Sequence, residues 1–361
     1  MEKIDHKFPY EWKLKEAKFT KDKGKVFSCF ACGGGSTMGY KLAGFDVVGC
    51  NEIDPKLMEV YIENHKPMYS YLEPIQEFKL RKDFPDELYN LDILDGSPPC
   101  SSFSLSGNRE KDWGKEKKFR EGQSEQVLDT LFFDFIDLAK ELQPKIVVAE
   151  NVKGILSGSA KKYVKEIYKQ FNIAGYSIRH FVLDASLMGI PQKRERVFFI
   201  GMRKDLAEPF MEMIDLMTWA PKLRMNFNEP TIPYKIIRKE QGNENAWGLS
   251  PSIKKYWELV KPGNSMATVH PKGSYFNEIK LSPDKVCPTI RASGLPYDYE
   301  QERTLFTDEI CLAGSFPLDY SFKSNKPVYI VGMSVPPVMI AQIATEIYNQ
   351  WIVPLNQKEI E

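Results

Sequence analysis

The sequence has little of what marks secreted, membrane-spanning or metal-binding proteins. Six cysteines spread over 361 residues do not make a disulfide framework. Cys29 and Cys32 form a Cys-x-x-Cys pair, but no second pair or nearby histidine completes four ligands, so we expect no metal. No stretch approaches the roughly 20 apolar residues of a transmembrane helix, and residues 1–25 lack the apolar run of a signal peptide. We therefore expect a soluble cytoplasmic protein with no membrane partner.

The chain also lacks an excess of charge of either sign. Its formal net charge is zero, with 49 basic and 49 acidic residues, which argues weakly against a nucleic-acid partner. Phosphate contacts need only a basic face, however, and basic clusters occur at 115–120, 193–196 and 254–255. The charge pattern therefore leaves a nucleic-acid partner open.

Short apolar segments alternate with helix-like segments through the first half of the chain. We predict strands at 26–31, 46–51, 91–94, 146–149, 177–183 and 197–201, and helices at 36–43, 55–64, 130–142 and 163–171. This alternation is typical of an α/β fold with a parallel, doubly wound sheet.

The alternation is lost after about residue 202. Residues 204–285 carry scattered proline, glycine and asparagine with isolated aromatic residues, which predicts a smaller, irregular domain. We predict that a strand returns at 328–332, followed by an amphipathic helix over 334–351.

A glycine-rich turn follows the first predicted strand. Gly33, Gly34 and Gly35 would let the backbone approach a ligand closely, and Glu52 ends the second strand, where an acidic side chain can hold ribose hydroxyls. This pattern favours an adenosine-containing cofactor but does not separate S-adenosylmethionine from NAD.

Three further polar motifs lie next to predicted strands. Cys100 follows two prolines after the third strand, where it is either an ordinary buried cysteine or a nucleophile. Glu150 and Asn151 end the fourth strand, where a glutamate serves as a helix cap or an acid catalyst. Arg194 and Arg196 are two residues apart, a spacing that places both on one side of an extended chain.

Together these motifs resemble those of the DNA (cytosine-5)-methyltransferases, in the order found in that family. The matching segments are Phe30-Ala31 with Gly34-Gly35, Pro99-Cys100-x-x-Phe103-Ser104, Glu150-Asn151-Val152, Gln192-Lys193-Arg194-Glu195-Arg196-Val197 and Gly332-x-Ser334-Val335. The resemblance covers about 25–202 and 285–351 and implies a Rossmann-like, doubly wound mixed sheet. It also implies a catalytic domain at 1–203, a target-recognition domain and return hinge at 204–327, and a C-terminal helix at 328–361 that completes the catalytic domain.

The resemblance implies a role for each motif. Cys100 would attack the base, Glu150 would protonate it, and Arg196 with Arg194 would hold its carbonyl. The cofactor would be S-adenosylmethionine, leaving as S-adenosylhomocysteine, and the residues expected to contact it are Phe30, Ala31, Gly33, Gly34, Gly35, Glu52, Ile53, Pro98 and Ser334. The residues expected to contact DNA or the base are Ser104, Asn151 and Gln192.

The implied partner is double-stranded DNA, from which the target cytosine is flipped out, bound by a monomer close to the nucleoid. A restriction endonuclease acting on the same site is a further expected partner, although a solitary methyltransferase has the same motifs. Residues 105–126 form a long, polar segment that we interpret as a loop closing over the DNA, the alternative being a solvated insertion.

Two other functions stay open on the sequence. An RNA methyltransferase acting on tRNA would share the catalytic domain, but the Cys-Phe-Thr signature of such enzymes is absent. A non-catalytic DNA-binding protein derived from a methyltransferase would not need Cys100 and Glu150, which are both present.

Overall fold

The chain folds into two compact units. The computed structural model describes residues 5–99, 130–158, 160–215, 218–242 and 246–358, together with the backbone of 116–117 and 126–127. One part, here called the sheet unit, comprises Phe19–Leu183, Glu195–Asn226 and Ile343–Glu361. The other, the loop-rich unit, comprises Met1–Lys18, Asp184–Arg194 and Phe227–Gln342.

A seven-stranded sheet is the centre of the sheet unit. The described strands are β1 (Lys25–Cys29), β2 (Asp46–Glu52), β3 (Tyr69–Leu72), β4 (Ile93–Gly96), β5 (Glu116–Lys117), β6 (Gln126–Val127), β7 (Ile146–Val152), β8 (Tyr176–Asp184), β9 (Glu195–Arg203), β10 (Met211–Asp215) and β11 (Thr218–Pro221). The sheet has the order β3-β2-β1-β4-β7-β9-β8, while β5 with β6 and β10 with β11 form separate pairs. Neighbours from β3 to β7 are parallel and β9 is antiparallel to β7, so the predicted doubly wound mixed sheet is confirmed.

Helices follow most strands of the sheet. The described α-helices are α1 (Gly35–Ala43), α2 (Pro55–His65), α3 (Ile75–Phe78), α4 (Asp86–Tyr89), α5 (Leu131–Leu142), α6 (Ala160–Ile173), α7 (Lys204–Ala207), α8 (Tyr234–Ile237), α9 (Pro251–Leu259), α10 (Thr307–Ala313), α11 (Pro327–Met333), α12 (Pro337–Ile347) and α13 (Val353–Lys358). The start of α2 is fixed because the Asp54 carboxylate accepts bonds from the amides of Lys56 and Leu57, with Pro55 in the first turn.

One face of the sheet packs against α5 and α6. Phe132 and Phe135 of α5 and Phe171 of α6 are almost fully buried with Val147 of β7 and Phe199 of β9. Phe132 meets Phe199 edge to face, with ring centroids 5.5 Å apart. The opposite face receives α1, whose Tyr40 reaches β4.

The strand order reverses between β1 and β4. The chain proceeds from β1 outward through β2 and β3, then returns to place β4 and β7 on the other side of β1. Ligands of doubly wound sheets bind beyond the carboxyl ends of the strands at such a reversal. In this chain the loops that leave β1 and β4 flank that position.

The loop-rich unit contains buried charge pairs. The Arg303 Nη1 atom lies 2.7 Å from the Glu309 carboxylate, and the Arg238 Nε atom lies 2.8 Å from the Asp298 carboxylate. The Tyr234 hydroxyl lies within hydrogen-bond distance of both carboxylates, 2.9 Å from Asp298 and 3.0 Å from Glu309. The described residues of this unit form isolated bridges and short helices, and the network joins several of these segments through bonds that satisfy buried charges.

Two details of the fold differ from the sequence predictions. The strand predicted at 328–332 was wrong, since this segment lies in α11; Pro327 in its first turn favours a helix. The expectation that no stretch has the length and apolarity of a membrane span was also wrong. Pro327–Gln357 reaches a mean hydropathy of 1.5 in its most apolar window, which is 78% buried as in a core helix.

The two units do not coincide with the predicted domains. Residues 1–18, 184–194 and 328–342, which were predicted with the catalytic domain, belong to the loop-rich unit. The assignment of target recognition to 204–327 stays a prediction.

Candidate active site

The loop after β1 has the backbone of a close-approach turn. Phe30, Cys32 and Gly34 all have positive φ, and the Gly34 amide donates to the Ala31 carbonyl at 2.8 Å. A Cβ atom at Gly34 would lie 2.1 Å from His65 Nε2, so only glycine suits this position. Gly34 also precedes α1, so amides of the first turn point toward the loop.

Glu52, at the end of β2, accepts a hydrogen bond from this loop. Its Oε2 accepts from the Cys32 amide at 2.7 Å, and its Oε1 accepts from the amides of Ile53 and Asp54, both at 2.9 Å. Burial raises the pKa of the Glu52 carboxyl, and the three amide bonds oppose that shift. A carboxylate has about four acceptor positions, and these amides use three of them. A ribose contact for Glu52 stays a prediction.

The loop after β4 lies beside the first one. The Ser97 hydroxyl donates to the Phe30 carbonyl at 3.3 Å, linking the two loops. The Asn151 amide nitrogen donates to the Pro98 carbonyl at 3.2 Å, and its oxygen accepts from the Val152 amide. Asn151 therefore holds the backbone immediately before Pro99. Cys100, Ser104 and most of the predicted loop at 105–126 lie outside the described residues.

Glu150 and Arg196 form an ion pair at the end of β7. Val152 pairs with Arg196 across the antiparallel β7–β9 ladder, which places Glu150 and Arg196 on the same face of the sheet. The Arg196 Nε atom lies 3.0 Å from Glu150 Oε1, and the side chains are only 15% and 13% exposed. Burial lowers the pKa of Arg196 and the Glu150 carboxylate opposes that shift. The pair is largely desolvated, so a hydrogen bond made by either group is strong.

Three predicted site residues belong to the loop-rich unit. Arg194 is 2% exposed and donates to the carbonyls of Ile290, Gly332 and Ser334. Gln192 is 1% exposed. Its side-chain nitrogen donates to the Ala313 carbonyl, and its side-chain oxygen accepts from the Ile290 amide. Both side chains form hydrogen bonds with backbone groups of the loop-rich unit. A catalytic role for Arg194, a DNA contact for Gln192 and a cofactor contact for Ser334 stay predictions.

Sequence reasoning missed Asp95, a buried carboxyl in β4. It is 3% exposed and accepts from the Ser28 hydroxyl at 2.9 Å and the Tyr40 hydroxyl at 3.2 Å. Burial raises its pKa to about 7, against the effect of these hydroxyls. The sequence signal that could have identified this buried carboxyl is an aspartate within the apolar strand at 93–96.

Among the described residues, no group of three or more His, Cys, Asp or Glu side chains is arranged to hold a metal ion. The described polar groups of the sheet unit instead converge on the ends of β1, β2, β4 and β7. A close-approach turn, an acidic strand end and a buried carboxylate–guanidinium pair therefore lie at the strand ends, where doubly wound sheets bind their ligands.

The chain has the Rossmann-like methyltransferase fold. It is similar to a mutant form of Spodoptera frugiperda DNMT2, with a TM-score of 0.59 and 18% identity over 90% of this chain and 99% of that one. The S. pombe Dnmt2 methyltransferase gives a TM-score of 0.59 at 15% identity, over 92% of this chain and 99% of that one. At these identities the likeness shows the fold alone.

The family follows from the sequence. Residues 24–349 match the C-5 cytosine-specific DNA methylases, and the chain belongs to that family. Type II methyltransferase M.DdeI of Desulfomicrobium norvegicum is 35% identical over 89% of this chain and 88% of the relative. Type II methyltransferase M.FnuDI of Fusobacterium nucleatum is 36% identical over 62% of this chain. The matched segments span 55% of M.FnuDI and 50% of M.NgoPII of Neisseria gonorrhoeae. The predicted family resemblance is confirmed.

Proposed function

We propose that this chain transfers a methyl group from S-adenosylmethionine to C5 of a flipped-out cytosine in a specific duplex DNA sequence, through a covalent adduct at Cys100. The observation that carries the proposal is the buried Glu150–Arg196 pair beside the Pro98–Pro99 segment that leads to Cys100. Family membership supplies the reaction class.

The ends of β1 and β2 suit the cofactor. The glycine turn permits close approach of the methionine portion, and Glu52 has acceptor capacity for the ribose. We assign Phe30, Ala31, Gly33–Gly35, Ile53 and Pro98 to the same site. When bound, S-adenosylmethionine supplies an electrophilic methyl group.

Cytosine C5 is a weak nucleophile until a group adds at C6. The Cys100 thiolate would add to C6, and Glu150 would donate a proton to N3 as negative charge develops there. The electrons of the resulting enamine make C5 nucleophilic. After methylation, a base would take the C5 proton, and the electrons of the C5–H bond would restore the C5–C6 double bond and expel the thiolate. N3 would then return its proton to Glu150.

Arg196 has a geometric role in these reaction steps. Its Nε atom pairs with the Glu150 carboxylate, and we propose that this pairing orients the carboxyl toward the base. We propose that Arg196 also donates to the cytosine carbonyl as a preorganised group, with Asn151 holding the loop before Cys100. Flipping the base out of the duplex costs a few kcal/mol.

The proposal extends to partners and location. We propose that the protein is a monomer that binds double-stranded DNA at the nucleoid, in the cytoplasm. We further propose a cognate restriction endonuclease, which acts on the same DNA site, as its partner. The relatives' names, type II methyltransferases, support the association with DNA modification.

Bisulfite sequencing of host DNA from cells that express the chain tests this function. We expect one short sequence to be protected at a single cytosine, and no protected site with Cys100→Ser. Methyl incorporation into bulk tRNA but not into duplex DNA would contradict the proposal in favour of an RNA substrate. An active Cys100→Ser protein would contradict the covalent step.

A further inference from the structure

The glycine turn after β1 rests against one face of α2. Met58, Tyr61 and His65 have the spacing i, i+3, i+7, which places them on the same side of a helix. Met58 and Tyr61 lie in a buried cluster with Ala31 of the turn. His65 is 6% exposed, and a Cβ atom at Gly34 would lie 2.1 Å from its Nε2 atom. This face of α2 therefore packs directly against the turn.

His65 also makes a polar contact with the turn. Its Nε2 atom lies 3.3 Å from the carbonyl oxygen of Gly33. Burial lowers the pKa of His65 to about 3, and the Lys41 cation acts in the same direction, so the imidazole is neutral at neutral pH. A carbonyl oxygen can only accept a hydrogen bond. The neutral ring therefore carries its proton on Nε2 and donates it to Gly33.

Residues of α1 and α2 hold His65 in place. The Tyr61 ring lies tilted against the imidazole with centroids 4.7 Å apart, and its hydroxyl lies 2.7 Å from the Thr37 hydroxyl of α1. The Lys41 ammonium, also on α1, donates to the backbone carbonyl of His65 at 3.1 Å. The imidazole is thus packed in the orientation that reaches Gly33.

The turn needs such support because part of its backbone is strained. Phe30 and Cys32 both have positive φ, a conformation that costs free energy in residues with side chains. Glu52 accepts from the Cys32 amide at 2.7 Å, and His65 donates to the carbonyl of the next residue, Gly33. A carboxylate and an imidazole therefore hold neighbouring peptide groups of the turn.

We propose that His65 is a positioning residue for the cofactor: by donating to the Gly33 carbonyl and filling the space beside Gly34, it holds the strained turn in the conformation that receives S-adenosylmethionine. The inference rests on the proposed function. His65 acts through the backbone of the turn and not through a contact with the cofactor or the base.

Steady-state kinetics of methyl transfer to duplex DNA test this role. His65→Leu is similar in volume but removes the donor, so the turn loses one of the bonds that hold it. We expect the KM for S-adenosylmethionine to rise roughly three- to tenfold, the effect of one lost hydrogen bond. The kcat at saturating cofactor and the KM for DNA should stay within about twofold of the wild type. His65→Gln, whose amide nitrogen can replace Nε2, should recover most of the lost affinity.

Two further variants separate this role from a general loss of stability. His65→Asn is too short to reach Gly33, so it should resemble His65→Leu, and it decides the matter if His65→Leu does not fold. Val60→Ala removes a side chain of α2 that is 0% exposed, and it should lower stability without changing the KM for S-adenosylmethionine. An unchanged KM in His65→Leu or His65→Asn, or an equal rise in Val60→Ala, would overturn the role of His65 while leaving the proposed function intact. A wild-type protein that methylates no cytosine would overturn both.

Discussion

At the scale of single residues, Glu150 gives the most specific prediction. Its carboxylate is held at 3.0 Å by Arg196 and is 13% exposed. Glu150→Gln retains the shape but cannot donate an acidic proton, so we expect kcat to fall roughly 10²- to 10⁴-fold with little change in cofactor affinity. Glu166→Gln on the surface of α6 is the matched control and should be indistinguishable from the wild type.

A second residue-scale prediction concerns stability and Asp95. Its pKa is about 7 in the folded chain against 3.8 for an ordinary aspartate, so the folded state binds the proton more tightly. Its contribution to stability is therefore lost as pH rises from about 4 to 7.

Thermal unfolding of the wild type and Asp95→Asn at pH 5 and pH 8 measures this contribution. The variant should gain stability relative to the wild type as pH rises, on the order of a few kcal/mol. A difference between the two proteins that is independent of pH would contradict the burial of an ionisable Asp95.

At the scale of elements, the turn before α1 depends on one glycine. Gly34→Ala forces a side chain into a left-handed backbone and against the buried His65, whose ring lies tilted against that of Tyr61 with centroids 4.7 Å apart. We expect a loss of about 1–3 kcal/mol of stability and weaker S-adenosylmethionine binding by calorimetry. Gly175→Ala is the control: its φ is also positive, at +95°, but no atom lies within 4 Å of the added carbon. It should lose some stability and keep cofactor affinity.

The packing of α11 gives another element-scale prediction. A Cβ atom at Gly332 would lie 2.4 Å from the backbone nitrogen of Ala292, which cannot move aside as a side chain can. Gly332→Ala should therefore destabilise the chain by about 1–3 kcal/mol in thermal unfolding. Gly248→Ala, which meets open space, should change stability much less, and equal losses would contradict the close approach.

The same element shows where sequence patterns fail. Residues 328–332 are apolar and β-branched enough to predict a strand, yet Pro327 and tertiary packing make them helical. β3 was missed because four residues at a sheet edge, alternately half-buried and exposed, carry too short a pattern. Longer segments such as α1, α2 and α5 were confirmed because period and boundary signals agree there.

At the scale of the whole molecule, the order of the motifs predicted the family and the alternation of strands and helices predicted the doubly wound sheet, and both are confirmed. Side-chain burial could not be predicted in the same way. Arg194 and Arg196 share a motif, yet Arg194 bonds backbone carbonyls of the loop-rich unit while Arg196 pairs with Glu150 of the sheet unit. Such contacts join residues about 46 to 140 positions apart, which no local pattern encodes.

The central claim is that a sulfur atom of this chain adds to the cytosine ring. Duplex DNA synthesised with 5-fluorocytosine blocks the final proton loss, so the adduct should be trapped. We expect incubation with S-adenosylmethionine to give a denaturation-resistant protein–DNA complex whose cross-linked peptide contains Cys100, and none with Cys100→Ser. A wild-type protein that methylates ordinary duplex yet forms no such complex would contradict the covalent mechanism.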